Sequence, residues 1–542
     1  MKGKLLKTGT VCMALTLLLS GCGGGSDTSE TTDTVTIAKA VDVMSMDSTI
    51  ATDGMSFEII AATTDGLFTL DKEGNAIPAL SDGEPSVSAD GKVITFKLKD
   101  AKWSNGETVT ADDFVFAFEK LANPATASEY NYMLGAGVAE IVNADAVIAG
   151  EMKPEELGVK ALDKKTFEVS LTKPVVFFNS LMTFPIFYPQ NQKFVEKQGD
   201  QYALTPDNLL ACGPYKMTSW ESKSKIKLVK NKKYYDKKNV KTDNLTFKII
   251  SDPNTSALDF GQGANDFTKL SGELVDKYKD DKNFKNVLDG YLWYVQLNFK
   301  TPGLDNVNLR KALALTMEKD KIVKDILKDG SVAADFFVPV KLATGPDGKD
   351  FRDGNGKYLQ TDLAKAKEYY ESAKAETGKS TFEFELLYEE EGNIKQIAEF
   401  IQNKVQKNLP GVSITLKSQP KKNRIELMKQ HDFQLAITRW GPDYADPTTY
   451  LNLMLEDNGY NYGLYTSQAY NDIMMKSSNE TSVENRWNDL KAAEKIMLEE
   501  DAAVIPLYQV GGASLVRKSV KGIENHSVGV PYIYKNVVKT TK

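Results

Sequence analysis

The sequence predicts a mixed α/β protein with more than one lobe, and three observations support this fold class. The chain has 542 residues, which is more than one hydrophobic core usually supports, so two or three lobes are expected. Segments in which apolar and polar residues alternate predict half-buried strands, and segments with apolar residues at helical spacing lie between them. The composition, 41% hydrophobic and 26% charged, is that of an ordinary globular protein.

The charge and the residue inventory exclude several classes of function. The formal charge is −7, and it becomes −10 if a leader containing Lys2, Lys4 and Lys7 is removed, so nothing favours nucleic acid as a partner. Two histidines, His431 and His526, and three cysteines weigh against a zinc site with several His or Cys ligands and leave few candidates for a Ser/His/Asp relay. We therefore expect no metal, no cofactor and no catalytic residue, although chemistry that uses only carboxylates stays open.

The first 21 residues have the pattern of an export signal. Three lysines precede an apolar segment, 11–19, that is too short to span a bilayer. The segment ends in Leu19-Ser20-Gly21-Cys22, which resembles the lipobox of bacterial lipoproteins, and this resemblance implies cleavage before Cys22 and a lipid on its sulfur. The alternative is an ordinary secretory cleavage site with an incidental cysteine. Residues 22–34 would then be a flexible tether, with the protein on the outer face of the bacterial cytoplasmic membrane.

Local patterns predict the elements of the first part of the fold. Residues 35–40 are expected to form a short strand, and 57–70 a helix. Residues 93–99 alternate between apolar and polar side chains and predict a half-buried strand. Thr110 stands three residues before Asp113, which is a capping signal, and apolar residues at helical spacing follow. An amphipathic helix should therefore follow the strand.

The same two periodicities predict the later elements. The predicted strands are 166–171, 245–250, 291–299, 382–387, 504–509 and 514–517, and the predicted helices are 308–327, 363–373, 394–405 and 485–499.

Residues 439–451, RWGPDYADPTTYL, are the stretch in which binding groups are most expected. A strand that contains Ile437 should deliver the chain to Trp440, after which glycine and prolines force an irregular loop that carries Asp443 and Asp446. One interpretation is turn chemistry, because Asp near Pro bends and caps chains. The other is an aromatic wall beside a carboxylate, which suits the binding of an ammonium group.

Longer similarities point to one family. Residues 90–121, DGKVITFKLKDAKWSNGETVTADDFVFAFEKL, resemble the signature region of the peptide-binding lipoproteins that supply ABC importers, the oligopeptide- and dipeptide-binding class. The similarity continues in the family's order through 124–128, 157–161, 166–171 with Pro174-Val175, 212–215 leading to Trp220, Asn231 with Tyr234-Tyr235, and Arg310, Ala312 and Leu313. It covers nearly the whole chain from Val35 onward.

The resemblance implies a periplasmic-binding-protein-like fold, with two main lobes around a hinged ligand cleft and an inserted third domain. Motif order places a discontinuous lobe I at 35–76, 208–290 and 508–542, the inserted domain II at 77–207, and lobe III at 291–507.

The resemblance also assigns roles to residues of the 439–451 stretch. The residue that matches Asp443 pairs with the α-ammonium of the bound peptide in this family. Trp440 and Tyr444 would wall a side-chain pocket, although core packing is the alternative for both, and Gly441 would let the ligand's main chain approach closely. Arg439 is a neighbour of these residues.

Further binding residues are implied elsewhere in the chain. Asp65-Gly66-Leu67 matches a segment that contacts the ligand's main chain in relatives. Tyr508, Tyr294 and Tyr132 match cleft positions and are equally consistent with structural roles. No residue of this chain matches the basic groups that hold the ligand's carboxylate in relatives, because Ile437 occupies the place where one subgroup has arginine, so the group that holds the carboxylate and the peptide length stay open.

The function implied by the resemblance is that of a non-catalytic, monomeric receptor. It would capture oligopeptides in a closing cleft and deliver them to an ABC permease with separate ATPase subunits, since the chain lacks a phosphate-binding glycine loop. A carrier of the same fold for a nickel chelate, haem, an oligosaccharide or a peptide pheromone is an alternative. An extracellular hydrolase that uses paired carboxylates is a further one, but no spacing singles out a pair.

Overall fold

The computed structural model describes residues 34–390, 392–480 and 482–540. The expected signal peptide, the lipidated Cys22 and all of the tether except Thr34 lie outside the described residues. No helix in the described part of the chain is long and apolar enough to cross a membrane.

One mixed sheet of eleven strands runs through the fold. From edge to edge its strands are Val412–Gln419, Phe382–Glu389, Leu435–Trp440, Phe284–Leu297, Val504–Val516, Phe267–Lys269, Thr34–Lys39, Asn244–Ile249, Lys225–Lys230 and Tyr215–Glu221, and Val332–Ala333 pairs beside Val504–Val516. Phe382–Glu389 pairs in parallel with both of its neighbours, as does Thr34–Lys39, and the remaining pairs are antiparallel.

Two large hydrophobic cores lie along this sheet. The first core is built by buried side chains from Val35 to Phe267 together with residues between Val520 and Val537. The second core is built by buried side chains from Leu292 to Tyr508. Tyr444 lies within the sequence range of the second core, but its side chain is buried in the first core.

Two long antiparallel strands, Phe284–Leu297 and Val504–Val516, join the cores, and we call them the crossing strands. Their register is irregular between the pairs Leu288–Gly511 and Leu292–Gln509. The irregularity separates the paired segment next to the strand Phe267–Lys269, which enters the first core, from the paired segment in the second core, so it marks the natural place for the sheet to bend.

A four-stranded antiparallel sheet packs into the first core. Its strands are Ser86–Val87, Val93–Lys97, Thr166–Ser170 and Val159–Asp163. The helix Ala111–Ala122 packs against it, with the rings of Phe114 and Phe118 at 5.5 and 5.4 Å from that of Phe167. The N–H of Thr110 donates to Asp113 (2.9 Å), so the predicted capping signal and its helix are confirmed.

The other elements surround these sheets. The remaining short strands form the pairs Phe68–Leu70 with Ala76–Pro78, Val520–Lys521 with Val538–Lys539, and Glu524–Asn525 with Tyr532–Ile533. The other α-helices are Gly54–Thr63, Ala144–Ile148, Phe178–Leu181, Gln192–Gln198, Pro253–Gln262, Glu273–Tyr278, Val307–Leu315, Lys319–Lys321, Leu363–Thr377, Ile394–Asn408, Lys421–Lys429, Thr448–Leu451, Gln468–Asn479 and Val483–Lys495. Two helices of the second core continue as π-helical turns, Ile322–Leu327 after Lys319–Lys321 and Ile496–Glu500 after Val483–Lys495.

Most predicted elements are present within a few residues of their expected bounds, but the helix predicted over 57–70 is wrong in its second half. The helix is Gly54–Thr63, capped by Asp53, which accepts from the N–H of Ser56 (2.9 Å). The chain then becomes extended, and Phe68–Leu70 is a strand. Tertiary packing explains the change, because Gly66 lies so close to the ring of Tyr188 that an added Cβ would be 2.4 Å from it.

Two further predictions need correction. The strands predicted at 504–509 and 514–517 are one strand, because Gly511 stays paired with Leu288, and its lack of a side chain leaves room for the main chain of Gly330, 2.0 Å from where a Cβ would stand. The helix predicted over 308–327 is interrupted after Leu315, where the hydroxyl of Thr316 donates to the carbonyl of Leu313 (2.7 Å).

Candidate functional site

A cavity of about 620 Å³ lies between the two cores, and we call it the Asp443 cavity. From the side of the first core it is lined by Lys39–Val41, the start of the helix Gly54–Thr63, and the ring-bearing residues Tyr130 and Tyr132. From the other side it is lined by Tyr291, Trp440–Asp443 and Tyr460, and a hairpin near the C-terminus, His526–Gly529 with Pro531, also faces it. The cavity is within the size range of small-ligand sites.

Asp443 follows the strand Leu435–Trp440, which ends where Gly441 and Pro442 turn the chain into the cavity wall. Its N–H donates to Oγ1 of Thr449 (3.0 Å), and its carboxylate Oδ2 accepts from the hydroxyl of Tyr132 (3.0 Å). Burial raises the pKa of Asp443 to about 7, and the Tyr132 hydrogen bond opposes this rise only in part. No Lys or Arg among residues 34–390, 392–480 and 482–540 forms an ion pair with it, so the carboxylate has a single side-chain partner.

Aromatic rings surround the Asp443 carboxylate. The rings of Trp440 and Tyr460 meet edge to face at 4.9 Å, and those of Tyr130 and Tyr132 stack at 6.2 Å. The faces of such rings carry partial negative charge and attract cations. A carboxylate within an aromatic wall can hold a ligand ammonium group by an ion pair and by cation–π contact.

The raised pKa of Asp443 gives a pH prediction for the binding of any ligand with a free α-ammonium. Below pH 7 the carboxyl group takes up a proton that must leave before the ammonium can pair, so affinity should fall as pH decreases, by up to about tenfold per pH unit. Above pH about 8 the ligand's own amine deprotonates, so affinity should fall again. Calorimetric titrations from pH 5 to 9 should give a maximum between about 7 and 8. Asp443→Asn should abolish the acid limb, and an unchanged acid limb in that variant would contradict the assignment.

Gly441 lets the ring of Tyr291 lie against the main chain beside Asp443. A Cβ at position 441 would be 2.3 Å from that ring, so Gly441→Ala must displace Tyr291 from the cavity wall. We expect a loss of ligand affinity of about 1 kcal/mol, with little change in stability because the displaced ring is at the surface. In a chain that already carries Tyr291→Ala, the further change Gly441→Ala should cause no additional loss of affinity, because the ring that the added methyl group would displace is gone. Gly459→Ala is the matched control, because nothing lies within 4 Å of its added Cβ.

Tyr444 lies outside the lining of the Asp443 cavity. It is buried, and its ring stacks on Phe177 of the first core with centroids 4.7 Å apart and planes 5° apart. The next N–H, of Ala445, donates to Oγ of Ser180 (3.2 Å). Residues 443–445 therefore touch the first core at three places, through Tyr132, Phe177 and Ser180.

A buried ion pair fixes the loop that carries Asp443. Arg486 donates from both terminal nitrogens to the two carboxylate oxygens of Asp446, at 2.8 Å each. Oδ1 of Asp446 also accepts from the N–H and the hydroxyl of Thr448. Asp446, one of the two acids of the predicted loop, thus has the structural role of a turn-stabilising group.

Arg439, Tyr508 and Tyr294 do not line the Asp443 cavity, although the guanidinium of Arg439 lies over the ring of Tyr291, which does (5.4 Å). The guanidinium of Arg439, which is exposed, lies over the ring of Trp293 (5.3 Å), and Trp293 in turn stacks with Tyr508 (6.1 Å). Tyr294 is buried edge to face against Phe337 in the second core. The contacts with a ligand that the sequence predicts for these three residues are not tested by this placement.

Asp65, Gly66 and Leu67 are packed within the first core, and none of them lines the Asp443 cavity. The carboxylate of Asp65 accepts from the hydroxyls of Tyr234 (2.7 Å) and Tyr235 (3.0 Å), and burial raises its pKa. The structure thus separates this predicted segment from Trp440, Gly441, Asp443 and Tyr132, which it brings together.

Sequence reasoning missed several residues of the cavity. Tyr130, Tyr291 and Tyr460 carry no local pattern that distinguishes them from core aromatics. Lys39 also lines the cavity, but its ammonium is paired with Glu58 (2.5 Å), which accepts in addition from the hydroxyl of Tyr534 (2.6 Å). Because these partners are far apart in sequence, only the fold reveals the pairing. The described residues contain no group of three or more His, Cys, Asp or Glu side chains that could hold a metal ion.

Two cores joined by two strands, with a carboxylate-bearing cavity between them, define a class of ligand-binding proteins that close about a hinge. The chain belongs to the bacterial extracellular solute-binding proteins, family 5, whose profile, described as the middle region, matches residues 75–462.

Individual relatives match most of the chain. A protein named "dipeptide-binding protein" from Lactococcus lactis subsp. cremoris (strain MG1363) is 33% identical, over 99% of this chain and 99% of its own. The structure titled Listeria monocytogenes OppA bound to peptide is 34% identical and superimposes with a TM-score of 0.75, over 95% of this chain and 100% of its own. The structure titled as the unliganded open form of the periplasmic murein tripeptide-binding protein MppA is 26% identical, with a TM-score of 0.80 over 94% of this chain and 98% of its own.

Proposed function

We propose that this protein captures oligopeptides with a free N-terminus in the cleft between its two cores and delivers them to an ABC permease whose ATPase subunits are separate chains. The relatives named above bind a dipeptide, a peptide and a murein tripeptide according to their names and titles, which supports a peptide as the ligand. The protein would act as a monomer, without cofactor and without altering the peptide.

One observation carries the proposal, namely the state of the Asp443 carboxylate. It lies in the wall of the cavity, its pKa is raised by burial to about 7, and no cation of the described chain pairs with it. An enclosed carboxylate costs several kcal/mol unless it is paired. A peptide α-ammonium would supply the missing charge, and the aromatic rings around Asp443 would favour the same cation.

Main-chain pairing would supply binding energy that does not depend on side chains. The strand Thr34–Lys39 runs up to the cavity, and the two residues that follow it, Ala40 and Val41, are exposed and line it. On the opposite wall the strand Leu435–Trp440 likewise ends at the cavity. An extended peptide that lies between these strand ends could pair with either one, as in β-strand addition.

Closure would occur about the crossing strands. Both strands enter the second core, one of them also pairs with the strand Phe267–Lys269, whose Phe267 is in the first core, and their register is irregular between Leu288 and Leu292. The solved relatives include one titled as bound to peptide and one titled as an unliganded open form, which supports two arrangements of the cores in this family. Peptide that bridges Asp443 and the first core would favour the closed arrangement.

The membrane attachment belongs to the proposal as well. Lipidation of Cys22 would hold the protein at the outer face of the cytoplasmic membrane, close to the permease, while residues 22–34 act as the tether. Mass spectrometry of the protein purified from its native membrane should give an N-terminal peptide that begins at Cys22 and carries the mass of a lipid. An unmodified N-terminus at another residue would contradict this part.

The ligand is tested with the purified soluble chain that lacks the leader. A mixture of random pentapeptides with free N-termini should be retained by the protein in ultrafiltration, and the retained peptides should be recovered intact after denaturation. The same mixture after N-acetylation should be retained far less. Retention of neither mixture would overturn the proposal, and recovery of cleaved peptides would instead indicate a hydrolase.

A further inference from the structure

A hairpin close to the C-terminus holds a histidine in the wall of the cleft. Its strands, Glu524–Asn525 and Tyr532–Ile533, pair antiparallel, and the N–H of His526 donates to the carbonyl of Pro531 across the turn (3.1 Å). The hydroxyl of Ser527 donates to the carbonyl of Leu288 on a crossing strand (3.3 Å). The hairpin is thus tied to the place where the sheet joins the two cores, and the position of His526 is fixed.

The hairpin separates two cavities. On its other side lies a cavity of about 820 Å³, which we call the far cavity and which is lined by residues of both cores, among them Asn75 and Thr344. His526, Ser527 and Val528 line both the far cavity and the Asp443 cavity. These three residues are therefore where an extended chain that occupied both cavities would meet the hairpin.

His526 has an unused hydrogen-bonding atom at this passage. His526 is only 7% exposed, and its Nε2 is buried without a hydrogen-bond partner. Among the described residues that line the Asp443 cavity, one other buried side-chain polar atom, Nε1 of Trp440, also has no partner. Burial lowers the pKa of His526 to about 4, so the imidazole is neutral at pH 7 and offers one donor and one acceptor. Buried polar atoms in native proteins are nearly always paired, so this one calls for a partner that the chain does not supply.

A peptide main chain is a suitable partner, because each of its residues offers an N–H and a C=O group. We propose that His526 hydrogen-bonds the main chain of the bound peptide where the peptide passes from the Asp443 cavity into the far cavity. This inference rests on the proposed function and extends it, because a peptide that reaches His526 and continues into the far cavity occupies more space than the Asp443 cavity provides.

Nuclear magnetic resonance can test this contact directly, because the chain has two histidines. The tag-free soluble chain, labelled with ¹⁵N-histidine, should give one imidazole signal set from His526 and one from His431. The latter is an internal reference, since His431 is exposed and its Nδ1 is already hydrogen-bonded to the carbonyl of Tyr462 (2.9 Å). At pH 7 the random pentapeptide mixture should shift the imidazole ¹⁵N signals of His526 and leave those of His431 in place.

The outcomes separate this inference from the proposed function. Pentapeptides that are retained in ultrafiltration but leave the His526 signals unmoved would overturn the inference and leave the function standing. Failure to retain any pentapeptide would overturn both.

Variants provide a second readout that does not depend on the NMR signals. His526→Leu should weaken pentapeptide binding by about five- to tenfold, and His526→Gln, which keeps a donor and an acceptor, should restore most of it. His431→Gln is the matched control and should bind as the unaltered chain does. If the Leu and Gln variants bind equally well, the hydrogen bond proposed for His526 is absent.

Discussion

Asp443→Asn should weaken the binding of peptides with a free N-terminus by about 2–4 kcal/mol, on the order of 30- to 1,000-fold, when measured by calorimetry at pH 7.5. The reason is that the ammonium group would be enclosed in the Asp443 cavity with no carboxylate, and an enclosed unpaired charge is costly. N-acetylated peptides, which lack the ammonium, should bind the variant and the unaltered chain with equal, low affinity.

Two controls separate this effect from misfolding. Because burial disfavours the ionised form of Asp443, the neutral Asn should leave the melting temperature at pH 8 unchanged or higher. Asp432→Asn makes the same charge change at an exposed residue shortly before the strand Leu435–Trp440 and should leave affinity unchanged. An Asp443→Asn variant that still binds free and acetylated peptides with the original difference would remove Asp443 from the site.

Arg486→Leu should destabilise the protein by about 3–5 kcal/mol, because it leaves the buried carboxylate of Asp446 without its cation. The double variant Asp446→Asn, Arg486→Leu should recover part of this loss, since no charge then remains buried. Both variants should also bind peptide more weakly, because Asp446 holds the loop that presents Asp443.

Urea denaturation of these variants gives the measurement. Lys279→Leu, which removes an ion pair whose two side chains are more than half exposed, is the control and should change the free energy of unfolding by no more than about 1 kcal/mol. A loss for Arg486→Leu no larger than that of the control would show that the Asp446 pair contributes little.

The loop around Asp443 could be predicted from sequence because its determinants are local. Gly441, Pro442 and Pro447 end the strand within a few residues, and the structure places the loop where this pattern predicts it. Each of the two interpretations of its acids applies to one residue. Asp446 stabilises the turn and is paired with Arg486, whereas Asp443 lines the cavity. Local sequence could not say which acid had which role.

The positions of Tyr294 and Tyr508 could not be predicted in the same way. The seven consecutive residues 292–298, at the end of the strand Phe284–Leu297 and just after it, are all buried, so this segment has no alternation to distinguish a face toward the cleft from a face toward the core. His526 was missed for a different reason. Its place in the cleft depends on a hairpin that reaches Leu288 across 239 positions of sequence, and no periodic pattern records such a contact.

The crossing strands have a consequence for how the molecule comes apart. The second core is built from residues between Leu292 and Tyr508 and contains part of both strands. The first core draws on segments from the two ends of the described chain, so it does not correspond to one continuous piece of sequence. Cutting the chain between the two cores would separate strands that pair in one sheet. Each piece would then have an unpaired sheet edge, which favours aggregation. Heat should consequently melt the two bodies together, in one cooperative calorimetric transition and not in two.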